Sequence, residues 1–464
     1  MNTPVPEAAT SFSPRQRAAI GCVLAAIVLV VLDAAIANVA LPTIAHSLQV
    51  TPASSIWVVT AYQMALVMAL LPCAALGESL GYRRVFTAGV ALFTAASVLC
   101  ALSPSLPWLI AARFLQGLGG SAIMSLGVAL LRFVVPHHRL GTAIGWNALT
   151  VALSSAAGPT IGAAILSAAD WPWLFAVNLP VGAVVLLATR AMPHVTGSSR
   201  RLDVVSVALN AAGFASLVIG ADMLLTQPAQ GACLIAVGAL GMAALVWREM
   251  PREAPLIPLD LLRVDSFRIS VIASVCCFAG QAASMVALPF YLQHGLGQDA
   301  FRTGLYMTPW PLTVAVAAPL AGRLANRIST ARLCAVGGAC LAAGLVAAAL
   351  WPLHGSPLPL IPLMMLCGLG FGLFQVPNNR NMLLSAPRER SGAAGGMQGT
   401  ARLTGQTVGA VTMSLLFTLA AGDAPRIGLG IAASLTLIAG LVSTVQFATA
   451  ASDLPDGLAA PPAS

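Results

Sequence analysis

Fourteen apolar runs of about 17–25 residues, separated by short polar stretches, account for almost the whole chain. They begin near Ala18, Ser55, Val85, Leu106, Gly141 and Trp173, then Val204 and Gly231. The last six begin near Ile269, Thr303, Arg332, Pro357, Gly395 and Arg426. Crossing a bilayer takes about 20 apolar residues, so the pattern predicts an all-α, multi-pass membrane protein. No polar stretch exceeds about 25 residues, too few to bury a core, and no separate soluble domain is expected. The first run, Ala18 to Leu41, is too long for the h-region of a signal peptide and reads as a retained span.

Composition agrees: 58% of residues are hydrophobic and 8% charged, where soluble domains carry about 25% charged residues. Arginine supplies all 23 basic residues and lysine is absent. That excludes a Walker A loop, a Schiff-base lysine and a Ser-Lys nucleophile pair. Energy for pumping must then come from an ion gradient or another subunit. With the N-terminus inside, 19 arginines between Arg15 and Arg390 fall in inner segments, and only Arg302 and Arg426 fall outside. This obeys the positive-inside rule, and losing a single span would destroy it. The number of spans is therefore even, twelve being the alternative if the pair near Val204 and Gly231 does not insert. Both termini are expected in the cytoplasm, with the bacterial inner membrane as location. The net charge of +8 reads as arginines facing an anionic leaflet, not as a nucleic-acid surface. The nine cysteines form no CxxC pair and read as packing residues; the six histidines lie in loops or at segment ends. Neither a metal, a cofactor nor an enzymatic constellation is expected.

The informative positions are polar residues inside apolar runs. Asp33 interrupts the first run, where a carboxylate costs roughly 2.5–3.5 kcal/mol on insertion scales. Arg113 lies in the fourth. At 1.5 Å per residue, Asp33 is about 12 Å below the outer end of its span and Arg113 about 9 Å. Matched depth predicts a pair in which each charge offsets part of the other's cost. The functional reading is competition: deprotonated Asp33 holds Arg113 or a cationic substrate, and protonation releases it. The plainer reading is a fixed ion pair that orients two helices. Gly158-Pro159 with Gly162 predicts a kink and close helix approach in the fifth span. Glu78, Gly81, Arg83 and Arg84 form a charged inner loop, read as a cytoplasmic gate or as a solvated face on anionic lipid. Asn38, Gln116, Trp310, Gln375, Arg402 and Gln406 are candidate cavity residues. For Arg402 the alternative is snorkelling to the near interface. Asp222, at the outer end of the seventh span, reads as an interfacial hydrated carboxylate.

Several motifs together resemble the major facilitator superfamily, specifically its fourteen-helix drug:proton antiporters (the EmrB/QacA branch). They are Leu32-Asp33 with Asn38 to Pro42, the loop from Glu78 to Arg84, and Ala112 to Gly119. Gly158-Pro159 with Gly162, and Trp171, Trp173, Asn178, Pro180 and Gly182, complete the set. A second copy of the inner-loop motif appears at Gly322 to Arg327, as two related bundles would require. Glu78, Tyr82, Asn326, Ala163 and Pro172 depart from the family pattern. The resemblance, covering roughly residues 15–450, implies two six-helix bundles around a central cavity and alternating access. It also assigns the Arg113 motif to proton transfer and the Gly158 motif to antiporters.

The expected organisation is a cytoplasmic tail (1–17), an N-terminal bundle (18–193), and a linker with two extra helices and a connector (194–268). A C-terminal bundle (269–450) and a disordered tail (451–464) follow. The function read from these features is proton-coupled export of small amphipathic compounds, cationic or neutral, with the proton gradient in place of a cofactor. Partners are the small-molecule substrate, protons and the lipid bilayer, with no nucleic acid. A monomer is expected, a periplasmic adaptor and outer-membrane channel being candidate additions. The alternatives are export of one endogenous metabolite and a non-transporting membrane sensor.

Overall fold

Helix starts follow local chemistry. Ser13 accepts from the Gln16 N–H at 3.2 Å while Gln16 Oε1 accepts from the Ser13 N–H at 2.9 Å. This reciprocal cap, with Pro14 in the first turn, opens α1 (Pro14–Ser47). Thr51 caps α2 (Pro52–Leu80) one way, its hydroxyl accepting from the Ser54 N–H at 3.2 Å, again with proline in the first turn. Gly81, at φ +97°, turns the chain directly into α3 (Tyr82–Ala101), a backbone angle that favours glycine.

The rest of the chain continues as helices in this computed structural model, which describes residues 13–135, 140–193, 203–250, 261–352, 357–386, 391–420 and 422–452. They are α4 (Leu106–Val134), α5 (Leu140–Ala168), α6 (Trp173–Ala176), α7 (Asn178–Ala188), α8 (Val204–Met223), α9 (Pro228–Glu249) and α10 (Asp265–Phe290). Then come α11 (Ala300–Met307), α12 (Pro309–Leu324), α13 (Thr330–Ala349), α14 (Leu360–Leu384), α15 (Ser391–Leu419) and α16 (Ala424–Ser452). Several readings fall outside the described residues. These are the tails (1–12 and 453–464, with Asp453 and Asp456), the connector prolines Pro251, Pro255 and Pro258, and Arg139, Arg200, Arg201, Arg252, Arg388 and Arg390. His137, His138, His194 and His354 also lie outside them.

The chain is all-helical, and among the described residues eleven helices are long and apolar enough to cross a membrane. Three of the fourteen predicted runs do not qualify. The run near Thr303 divides at Thr308–Pro309 into α11 and α12. The run near Gly395 is diluted by Gly, Thr, Gln and Arg along α15. In α5 the qualifying stretch is short, Leu153–Ala168.

Successive long helices alternate in direction, and contacts between their ends show it. At the end where α1 begins and α16 finishes (the terminal end), Gln16 Nε2 donates to Val134 O at 3.1 Å. There too, Arg83 Nη1 donates to Met192 O at 3.2 Å. At the far end, Trp171 Nε1 donates to Ser47 Oγ at 3.1 Å and Gln293 Nε2 reaches Val39 O at 3.5 Å. Helices α1–α7 pack mainly on one another; α10 and α13–α16 do likewise, with α12 on α14. Helices α8 and α9 pair, and α8 lies against α2 and α15.

The apolar core is not uniform along the bilayer normal. At the far end one cluster crosses both sets of helices, from Leu41, Ile44 and Ile56 to Phe290, Met307, Trp310 and Phe417. At the terminal end the core divides. One cluster, around Ile27, Phe86 and Leu130, belongs to α1–α7 apart from Leu403; a smaller one holds Phe267, Met382 and Met397.

Candidate functional site

Asp33 sits midway along α1 and is 1% exposed, with Arg113 of α4 at 0%. Their side chains meet: Arg113 Nη1 lies 2.5 Å from Asp33 Oδ2. The other carboxylate oxygen, Oδ1, accepts from Gln116 Nε2 at 2.9 Å and from Asn178 Nδ2 at 2.6 Å. Gln116 also donates to Ser97 Oγ at 2.9 Å, and Gln116 Oε1 accepts from Arg113 Nη1 at 2.5 Å. Arg113 Nε donates to Val58 O at 3.0 Å. The guanidinium lies 4.2 Å from the Tyr62 ring centroid and 5.4 Å from that of Phe175, adding cation–π attraction on a desolvated face.

Groups from α1, α2, α3, α4, α6 and α7 thus gather around the Asp33–Arg113 pair, and two of these helices, α4 and α7, bond the carboxylate directly. Two buried charges cost several kcal/mol each to desolvate, and the pair persists because hydrogen bonds satisfy most of the remaining capacity. Arg113 Nη2 is the exception, buried with no acceptor. Protonating Asp33 would remove the charge that holds Arg113 and weaken three hydrogen bonds at once.

The Gly158 motif lies beside it. Gly158 packs on Ala35 and Gly162 on Ile36, two and three residues beyond Asp33 on α1. Any side chain at Gly158 would collide with Ala35 Cβ. Pro159 lies within α5, and its carbonyl faces Gly304 of α11, which also meets Ala163. The family's second glycine is alanine here, and the partner helix supplies a glycine opposite it instead. Thr160 and Thr308 hydroxyls bond across the same contact.

The inner-loop residues cluster at the terminal end. Gly81 makes the turn, Arg83 holds the Met192 carbonyl, Glu78 is half-buried and Arg84 is exposed. The candidate cavity residues scatter. Gln116 belongs to the Asp33 cluster and Trp310 is 2% exposed within the far-end core. Asn38 is half-buried and donates to Ala34 O, its own preceding turn, at 3.1 Å. Gln375, Arg402 and Gln406 are half-buried, and Arg402 Nε has no acceptor. Asp222 is half-buried near the far end of α8 and is held by two side chains. Its Oδ2 accepts from Trp57 Nε1 at 2.9 Å and its Oδ1 from Ser414 Oγ at 2.6 Å.

Sequence reading had no role for Ser97, Tyr62, Phe175, Trp57 or Ser414, and took Asn178 only as part of a motif. Asn178 carried the same signal as Asp33, a strong hydrogen-bonding group in an apolar run. Ser97 and Ser414 carried none, since serine satisfies itself on its own helix: Ser97 Oγ also donates to Phe93 O at 2.8 Å.

The sequence matches the Major Facilitator Superfamily over residues 23–410. The chain belongs to that family. Among its relatives is the Escherichia coli protein named "Uncharacterized transporter YebQ". It is 46% identical over 442 residues, covering 93% of this chain and 96% of that one. "Riboflavin transporter RibZ" of Clostridioides difficile is 30% identical over 390 residues, 83% of this chain and 85% of its own. "Multidrug resistance protein Stp" of Mycobacterium tuberculosis is 33% identical over 390 residues, 82% of this chain and 72% of its own. The chain is thus a multi-pass major facilitator transporter whose relatives include multidrug-resistance proteins.

Proposed function

We propose that the chain is a proton-coupled exporter of small amphipathic organic compounds, of the fourteen-helix drug:proton antiporter branch. The observation that carries this reading is the sealed cluster of Asp33, Arg113, Gln116 and Asn178 beside the Gly158–Ala35 contact. A proton on Asp33 dissolves the cluster, α1 is freed against α5, and the helix sets change their relative tilt. Proton entry is thereby tied to substrate exit.

In this reading all fourteen helical runs span the bacterial inner membrane. Helices α1–α7 and α10–α16 form the two bundles, and α8 and α9 are the extra pair. The terminal end is cytoplasmic, as the arginine distribution favours. The continuous far-end core and the divided terminal-end core support an inward-facing state, closed on the outside. The loop of Glu78, Gly81, Arg83 and Arg84 then closes the inner side in the opposite state. The pump draws on the proton gradient, works as a monomer, and accepts an adaptor and outer-membrane channel as optional partners.

A second reading, export of one endogenous metabolite, is favoured by the similarity to a protein named for riboflavin transport. Growth and efflux profiling of a deletion strain against dyes, quaternary amines, acidic drugs and flavins, with and without an uncoupler, separates the two. Uncoupler-sensitive efflux of many unrelated compounds is expected; a phenotype confined to one metabolite would favour the second reading.

A further inference from the structure

Two arginines and two carboxylates lie among the helices here, and of these only Arg113 and Asp33 form an ion pair. Asp33 has its two oxygens filled by Arg113, Gln116 and Asn178, and Asp222 by Trp57 and Ser414. Each of these carboxylate oxygens already accepts a bond from the protein in this conformation. Arg113 is matched by Asp33. Arg402 is matched by nothing: among the described residues it makes no ion pair or hydrogen bond, and its Nε is buried without an acceptor.

Its position on α15 says where it points. Gly405 and Gly409 press on the α10 backbone at Val275 and Ala279. On another side, Gly399 and Gly396 face Leu70 and Leu71 of α2, and Leu403 joins the cluster containing Leu66 and Leu70. Three residues turn a helix by about 300°, so Arg402 sits about 60° from Gly405 and about 60° from Gly399. The sector between them faces the space between α10 and α2, on the inside of the two helix sets. Gln406 falls in the same sector. Tyr62 on α2 lies within electrostatic reach of Arg402, Arg113 and Asp33 alike. Leu70 of α2 packs at Gly399 and Phe278 of α10 at Gly405, so the two flanks are apolar; both side chains and Tyr62 are buried in this conformation.

A guanidinium in this setting is expensive unless an anion completes it, and snorkelling does not satisfy an Nε that has no exposed surface. We infer that Arg402 anchors an acidic group, a carboxylate or comparable oxyanion, on an amphipathic aromatic cargo. The guanidinium fork matches a carboxylate in two-pronged fashion, and Gln406 offers a further donor in the same sector. This rests on the exporter reading and narrows it: the compounds preferred are organic acids, not the cations that a free Asp33 would select.

The test compares three probes of one shape on the full-length protein in detergent: 1-naphthoate, neutral 1-naphthamide, and (1-naphthylmethyl)trimethylammonium. Wild-type protein should bind naphthoate at least tenfold more tightly than either other probe. Arg402→Gln should bring the naphthoate and naphthamide affinities within threefold of each other, and Arg402→Lys should keep part of the preference. Equal wild-type binding of the three, tighter binding of the cation, or no measurable naphthoate binding overturns the inference, whether or not the variants fold. Efflux from proteoliposomes keeps the two claims apart. Selective binding of naphthoate with no proton-driven movement of any probe would sink the exporter reading and leave the acidic-ligand site standing.

Discussion

Asp222 of α8 accepts the indole N–H of Trp57 on α2 at 2.9 Å, and its second oxygen accepts from Ser414 on α15 at 2.6 Å. One carboxylate therefore fastens the α8–α9 pair to a helix from each of the two main sets at the far end. Met64, Val218 and Val411 pack around the same junction.

Removing that carboxylate strands two donors. Asp222→Ala should lower stability by about 1–3 kcal/mol, the cost of leaving buried donors unmet, and Asp222→Asn by less, because its carbonyl oxygen still accepts one bond. Thermal unfolding of the purified variants in detergent gives the order; equal melting temperatures for wild type and Asp222→Ala would show that the junction carries no load.

Asn178 donates to Asp33 at 2.6 Å and reaches Ser97 Oγ at 3.5 Å. Asn178→Leu removes a hydrogen bond to a charged group, a class worth about 1.5–3 kcal/mol, while roughly keeping side-chain size. Lower thermal stability and weaker proton-driven efflux should appear together. Efflux at the wild-type rate would mean that Asp33 needs no support from α7.

Gly158 and Gly304 make the close approaches that join α5 to α1 and α11. Gly158→Leu should leave the protein in the membrane but cut efflux at least tenfold, since the two helices can no longer slide at Ala35. Immunoblotting of membranes alongside dye efflux separates loss of protein from loss of turnover. Full efflux with normal abundance would reduce the motif to ordinary small-residue packing.

Glu78 is half-buried at the terminal end, one helix turn before the Gly81 bend. Charge reversal in Glu78→Lys should change labelling of single cysteines placed along the inward sector of α15, such as at Gln406, in a cysteine-free background. Identical labelling rates in both backgrounds would speak for a solvated loop without a gating role.

Much of the helical layout was legible in the apolar periodicity, because membrane helices announce themselves by length and composition. Helix starts near Leu106, Trp173 and Val204 coincide with the structure. The three runs that fall short as single spanning helices are α5, with Pro159 inside it, the pair α11 and α12, divided at Thr308–Pro309, and α15 with Arg402 and Gln406. In the site, depth arithmetic brought Asp33 and Arg113 to one level, since both are charges in apolar runs. What depth alone does not carry is rotation about the helix axis. Gln116 and Trp310 therefore stood as cavity residues in the sequence, while the structure buries one in the charge cluster and the other in the far-end core. The partners of Asp222 were hidden for the same reason, lying 165 and 192 residues away along the chain.

The role of the Asp33 proton is tested most directly in proteoliposomes carrying a pH gradient, by measuring substrate movement with wild type and Asp33→Asn at matched protein content. The account predicts gradient-driven uptake by wild type. For the variant it predicts none, although substrate exchange without a gradient persists. Gradient-driven accumulation by Asp33→Asn at the wild-type rate would contradict it.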